Sequence, residues 1–111
     1  MGLDQYAFSR DGNDDDGKVE IMYWRKHANL EGWMANLYHA RGGKGDFNCV
    51  NLQLFRKDIE RLEREYLDLD TAEGFFWGQS YPEHNSDTLS FISLAYEAID
   101  SGRQVIYTSW W

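Results

Sequence analysis

Strand-like and helix-like patterns of apolar residues alternate along the chain and predict seven main elements. In residues 3–9, Tyr6 and Phe8, with Asp4, fall on one face of a short strand. Residues 18–24 repeat the pattern more strongly, with Val19, Ile21 and Tyr23 on one face and Met22 and Trp24 on the other. Apolar residues on both faces predict a central strand or one covered on both sides. The polar, glycine-flanked run at 11–17 between them reads as the loop of an antiparallel hairpin.

Leu30, Trp33, Met34, Leu37 and Tyr38 recur at the spacing of one helix face, with Asn29 placed to cap it. Gly32 weakens that first turn but allows another backbone to come close. Arg41 and Gly42-Gly43 supply an end. Val50, Leu52 and Leu54 mark a half-buried strand within 47–54. A charged helix follows at 56–68, its stripe formed by Ile59, Leu62, Tyr66 and Leu69 and its outer face solvated. Phe55, just before it, cannot act as a side-chain cap. Gly74-Phe75-Phe76-Trp77-Gly78 is a short strand or packed loop. Ser86 or Asp87 opens a last helix at 87–100, with Leu89, Ile92, Ala95, Tyr96 and Ile99 inward, and 103–109 closes as a strand. The fold class expected is α+β: an antiparallel or mixed sheet of about four strands with three helices packed on it, as a single domain over 1–111.

Composition narrows the function. With 19 Asp+Glu against 11 Lys+Arg, the net charge of -8 sets the chain as a whole against phosphate backbones, so nucleic acid is an unlikely partner. The 16% aromatic content argues against disorder. Cys49 is the only cysteine and excludes an internal disulfide. No apolar run suits a secretory leader or a membrane span, which leads to the expectation of a soluble, cytoplasmic protein.

Two familiar motifs fail. The loop from Asp11 has Asp16 where a calcium-binding EF-hand needs glycine and Met22 where it needs glutamate. Gly42-Gly43-Lys44-Gly45 lacks both the spacing and the hydroxyl of a phosphate loop, and it follows a helix. Arg25, Lys26 and His27 stand at a strand end before a helix, a reasonable corner for an anion. Asn48, Cys49 and Trp77 are the residues expected to join it as polar and stacking contacts. Cys49 with His27 or His39 has the residue types of a nucleophile and base, and with His84 added these make a candidate zinc set. No close ligand pair supports the zinc reading, and no catalytic residue, metal or cofactor is assigned. Phe75, Phe76, Trp77, Trp110 and Trp111 are enough aromatics for both a core and a partner-binding patch, with at least one terminal tryptophan packed.

Several stretches together resemble a family of small proteins of bacteriophages and bacteria. They are Met1-Gly2-Leu3-Asp4, Ile21-Met22-Tyr23-Trp24-Arg25-Lys26-His27, Gly32-Trp33-Met34, Leu37-Tyr38, Gly42-Gly43, Phe47-Asn48-Cys49-Val50, Gly74-Phe75-Phe76-Trp77-Gly78 and Tyr107-Thr108-Ser109-Trp110-Trp111. Some members carry the label phosphoglycerate kinase, an enzyme of two large domains with a nucleotide site. A chain of 111 residues without a phosphate loop cannot supply these, so the resemblance implies an origin and carries over no catalytic residues. The function expected is that of a non-enzymatic accessory protein that binds a protein partner or self-associates. A small-molecule or anion-binding domain, or a minor enzyme, around Arg25-Lys26-His27 and Asn48-Cys49 is the alternative.

Overall fold

The structure is a computed structural model that describes residues 2–12, 16–72 and 77–111. Four strands, β1 (Asp4–Arg10), β2 (Val19–Arg25), β3 (Leu52–Leu54) and β4 (Gln104–Trp110), form one antiparallel sheet in the order β2-β1-β4-β3. Three helices, α1 (Ala28–Ala40), α2 (Arg56–Glu65) and α3 (Glu83–Asp100), complete the α+β fold. Their apolar stripes meet Ala7, Trp24, Leu52, Leu54, Val105 and Tyr107, which share one face of the sheet. The opposite face carries Tyr6, Phe8, Tyr23, Thr108 and Trp110. Among the described residues, no helix is long and apolar enough to cross a membrane.

Several expected features are corrected by the packing. β2 is an edge strand rather than a central one. A bulge opposite Ala7/Phe8 shifts its register, so Ile21 packs against the core while Val19 and Tyr23 stay exposed. β3 is confined to three residues because Cys49 adopts a left-handed backbone, φ 60°, which breaks the extended run begun at Phe47. Asn29 does not cap α1, which begins at Ala28. The helix start is set instead by Gln5 on β1. Its side chain accepts from His27 N–H at 2.8 Å and donates to His27 C=O at 3.0 Å. Asn29 Oδ1 is free to accept from Ala72 N–H at 3.0 Å.

α2 ends at Glu65, short of 68, and its start is secured from inside the first turn, where Asp58 accepts from Phe55 N–H at 2.8 Å. Asp58 is buried and pairs with Arg41, so one residue of the expected solvated face is part of the packing. α3 starts at Glu83, a turn earlier than expected, directly after Pro82, which has no amide hydrogen to leave unsatisfied there. Its buried line is Thr88, Phe91, Ile92, Ala95 and Ala98, and Leu89 is 49% exposed. The stretch expected as a strand or loop at 74–78 lies outside the described residues up to Phe76, as does the centre of the 11–17 loop.

Candidate functional site

β2 runs into α1 through His27 and, before it, the tight residue Lys26. Its N–H donates to Leu3 C=O at 2.9 Å and its φ is 57°. For a long side chain this conformation costs of order 1–2 kcal/mol, and such strain tends to persist where the surroundings or a function hold it. The Lys26 side chain lies between two glycines. A Cβ added to Gly78 would come within 2.9 Å of Lys26 Cδ, and one added to Gly2 within 3.1 Å of Lys26 Cε. That same point beside Gly2 is 3.8 Å from Lys26 Nζ and 3.6 Å from Arg25 Nη2. Two cationic nitrogens therefore converge on one place in an acidic protein. Arg25 is tied on its other side, where Nη1 donates to Asp4 Oδ1 at 3.2 Å. Lys26 has no carboxylate partner among the described residues. Arg25 and Lys26 line an open cavity of about 550 Å³ with Gly78, Gln79, Tyr81 and His84.

Behind this corner His27 is buried, with its ring stacked on His84 at 4.5 Å between centroids and 11° between planes. Burial, followed by the neighbouring His84, pulls its pKa down to about 3, so the ring is neutral at physiological pH. His27 Nδ1 lies 2.6 Å from Ser80 Oγ, which accepts from Asn29 N–H at 2.9 Å. His27 Nε2 is buried without a hydrogen-bond partner. The Ser80–His27 pair has the distance of a nucleophile and its base. It lacks a third group on Nε2 to orient the ring, and a base this weak takes up no proton near neutrality.

Asn48 and Cys49 do not line this cavity. Asn48 holds the end of the chain, accepting from Trp111 N–H at 3.0 Å and donating to Trp111 C=O at 3.1 Å. Cys49 is exposed, and its N–H donates to Ser109 C=O at 2.8 Å. No histidine bonds to its sulfur among the described residues. The link between the two halves is aromatic. Trp77, next to Gly78, sets its ring edge-on to Trp111 at 5.7 Å. Trp77 Nε1 is buried and, like His27 Nε2, has no partner.

Beneath that link lies a polar network that the sequence does not announce. Glu31 is fully buried on α1. It accepts from Tyr107 O–H at 2.6 Å, Ser109 O–H at 2.8 Å and Trp111 Nε1–H at 3.1 Å. Trp111 Nε1 also donates to Phe47 C=O at 2.8 Å. Gln5 Nε2 donates to Tyr107 Oη at 2.9 Å and so joins the network to the backbone of His27. Loss of hydration raises the Glu31 pKa to about 7, against the opposing pull of its three donors. Burial and the adjacent Glu31 push Tyr107 well above its ordinary value, so it remains a donor. Gln5, Glu31, Tyr107, Ser109 and Trp111 thus fix the backbone at His27, immediately after the cationic corner. Glu31 sits at the i+1 position beside Leu30 in the apolar stripe, and that adjacency is the one sequence signal that could have marked it.

Among the described residues, no group of three or more His, Cys, Asp and Glu side chains is arranged to hold a metal ion. No protein-family model, curated protein or solved structure matches the chain.

Proposed function

We propose that this protein is a binding domain that takes a small oxyanion-bearing ligand at the Arg25–Lys26 corner and carries out no chemistry on it. The observation that carries this reading is that Arg25 Nη2 and Lys26 Nζ come together beside Gly2, and that both residues line a cavity of about 550 Å³. Holding like charges together is unfavourable unless something negative stands between them, and Asp4 answers only Arg25. Backbone strain at Lys26 and the hydrogen-bonded frame behind it keep the cations in place before any ligand arrives, which lowers the ordering cost of binding. A ligand-binding role also agrees with the weak base at His27 and the absence of a Cys–His contact among the described residues. Titration with phosphate and sulfate, followed by amide chemical shifts, tests the reading. Shifts should centre on Lys26 and Gly78 and vanish in Lys26→Met, which keeps the packed stem and removes the charge. Shifts scattered over the surface, or unchanged in Lys26→Met, would rule the corner out.

A second reading, docking of another protein or a second copy, is favoured by the helix-free face of the sheet. Trp110 is 60% exposed there and Tyr23 40%. Beside them a groove of about 370 Å³ is lined by Tyr6, Phe8, Lys18, Glu20, Thr108 and Trp110. Exposed tryptophan and tyrosine are the residue types that dominate interface energetics. Light scattering over a range of concentrations tests self-association, with Trp110→Ser as the control. A monomer throughout would remove that form of the reading.

A further inference from the structure

Resting on the anion-binding reading above, we infer that the ligand is a free mononucleotide: a planar base against the His84–Tyr81 wall and a phosphate on Arg25 and Lys26. The corner offers two kinds of surface within one cavity. One side is cationic. The other is aromatic, because Tyr81 and His84 both line the space, with ring centroids 6.2 Å apart and planes inclined by 43°.

His84 is restricted in what it can contribute. Its Nδ1 accepts from Tyr81 N–H at 3.0 Å, so that nitrogen carries no proton, and its Nε2 donates to Arg25 C=O at 3.1 Å. Both ring nitrogens are committed to the protein's own backbone. What remains to face a ligand is π surface, and His27 backs that ring in a near-parallel stack. The two stacked rings form a stiff platform on which a further planar ring can rest. Tyr81 is more than half exposed and has no hydrogen bond from its hydroxyl among the described residues, so its ring serves no visible structural purpose. Gln79, on the same rim, supplies an amide able to both donate to and accept from the edge of a base.

Size and charge fix the class. A volume of about 550 Å³ lies in the range of small-molecule sites and has room for a base, a sugar and one phosphate. The arginine has Nη1 tied to Asp4, leaving Nη2 and the Lys26 ammonium, the two nitrogens that come together beside Gly2, to meet a single phosphoryl group. The net charge of -8 opposes a longer strand, whose further phosphates would meet carboxylates.

Calorimetry at fixed ionic strength separates the possibilities, using adenosine 5′-monophosphate, adenosine, inorganic phosphate and a short oligothymidylate as probes. The mononucleotide should bind roughly tenfold or more tightly than either adenosine or phosphate alone, since one stacked base is commonly worth that factor. Tyr81→Ala should bring the mononucleotide down to the level of phosphate and leave phosphate itself unchanged. Lys26→Met should weaken both. If phosphate and the mononucleotide bind alike and Tyr81→Ala changes neither, the nucleotide inference is overturned while the anion corner stands. If no anion binds, both fail together. Tighter binding of the oligothymidylate, falling steeply with salt, would replace the free nucleotide with a strand.

Discussion

Replacing Glu31 by glutamine tests the buried network directly. A folded-state pKa of about 7 against an ordinary value of 4.5 means that the folded protein resists ionising this group. The stabilising contribution of neutral Glu31 is fully present below pH 4.5 and is lost as pH rises through about 7. At 1.36 kcal/mol per pKa unit the loss amounts to about 3 kcal/mol. Glutamine cannot ionise. Its amide oxygen can accept from Ser109 and Trp111, while its NH₂ takes the place of the neutral carboxyl's O–H toward Tyr107 and carries a second hydrogen for which no acceptor is at hand. That costs about 1 kcal/mol at every pH. Glu31→Gln should therefore be about 1 kcal/mol less stable than wild type near pH 4.5 and about 2 kcal/mol more stable near pH 8.

The wild-type curve alone does not show this, because His27 acts in the opposite direction. Its folded pKa lies below its unfolded value, so its contribution is present above pH 6.5 and is lost as pH falls toward 3. Over the range where both titrate, the two slopes offset each other, and the readable quantity is the difference between mutant and wild type. Urea denaturation followed by tryptophan fluorescence at five or so pH values supplies it. A difference that stays constant from pH 4.5 to 8 would refute the assignment of a near-neutral carboxyl to Glu31.

Other expectations follow from single contacts. Gly32→Ala should destabilise despite better helix propensity, because its Cβ would meet Ala72 Cβ at 2.5 Å and Ala72 is held by Asn29. Against a propensity gain of up to about 1 kcal/mol the clash costs about 1–3, and a rise in melting temperature would count against the packing described. Arg41→Met leaves the buried Asp58 carboxylate with only its Phe55 amide and should cost about 2 kcal/mol, the partial exposure of Arg41 tempering the loss. A change below about 0.5 kcal/mol in chemical denaturation would show that Asp58 is better solvated than the structure implies. Cys49→Gly should raise stability by about 0.5 kcal/mol, since glycine adopts φ 60° without strain, and an unchanged or lower melting temperature would contradict this.

The periodic elements were legible because burial of one face imposes their spacing. The stripe Leu30, Trp33, Met34, Leu37 of α1 and the alternation of β1 are read directly from the sequence, and the first hairpin follows from its polar loop. Features fixed by long-range partners were not. The bulge in β2 depends on pairing with Ala7 and Phe8, and the start of α1 depends on a glutamine from β1. Asn29 has the chemistry of a cap, but the amide it meets is that of Ala72. At the corner, residue type pointed to Arg25 and Lys26 because strand end, positive charge and helix start coincide. Asn48 and Cys49 were grouped with them on chemistry alone, and their bonds go instead to Trp111 and Ser109 at the end of β4. Glu31 was hidden because a glutamate within an amphipathic helix normally reads as surface. The donors that make its burial tolerable lie 76 to 80 residues away.

The place of β4 in the sheet also sets when the protein can fold. It inserts between β1 and β3, and Gln5 and Tyr107, 102 residues apart in sequence, share a hydrogen bond. Contacts so distant require a large loop to close before they return any stabilisation, which slows folding. Until β4 docks, the first hairpin has an unpaired second edge, Glu31 lacks Tyr107 and Ser109, and Trp77 lacks the ring of Trp111. A chain still emerging from the ribosome therefore holds every charged residue of the corner without the frame behind it, and that frame is complete only after residues 104–111 have been made and set in place.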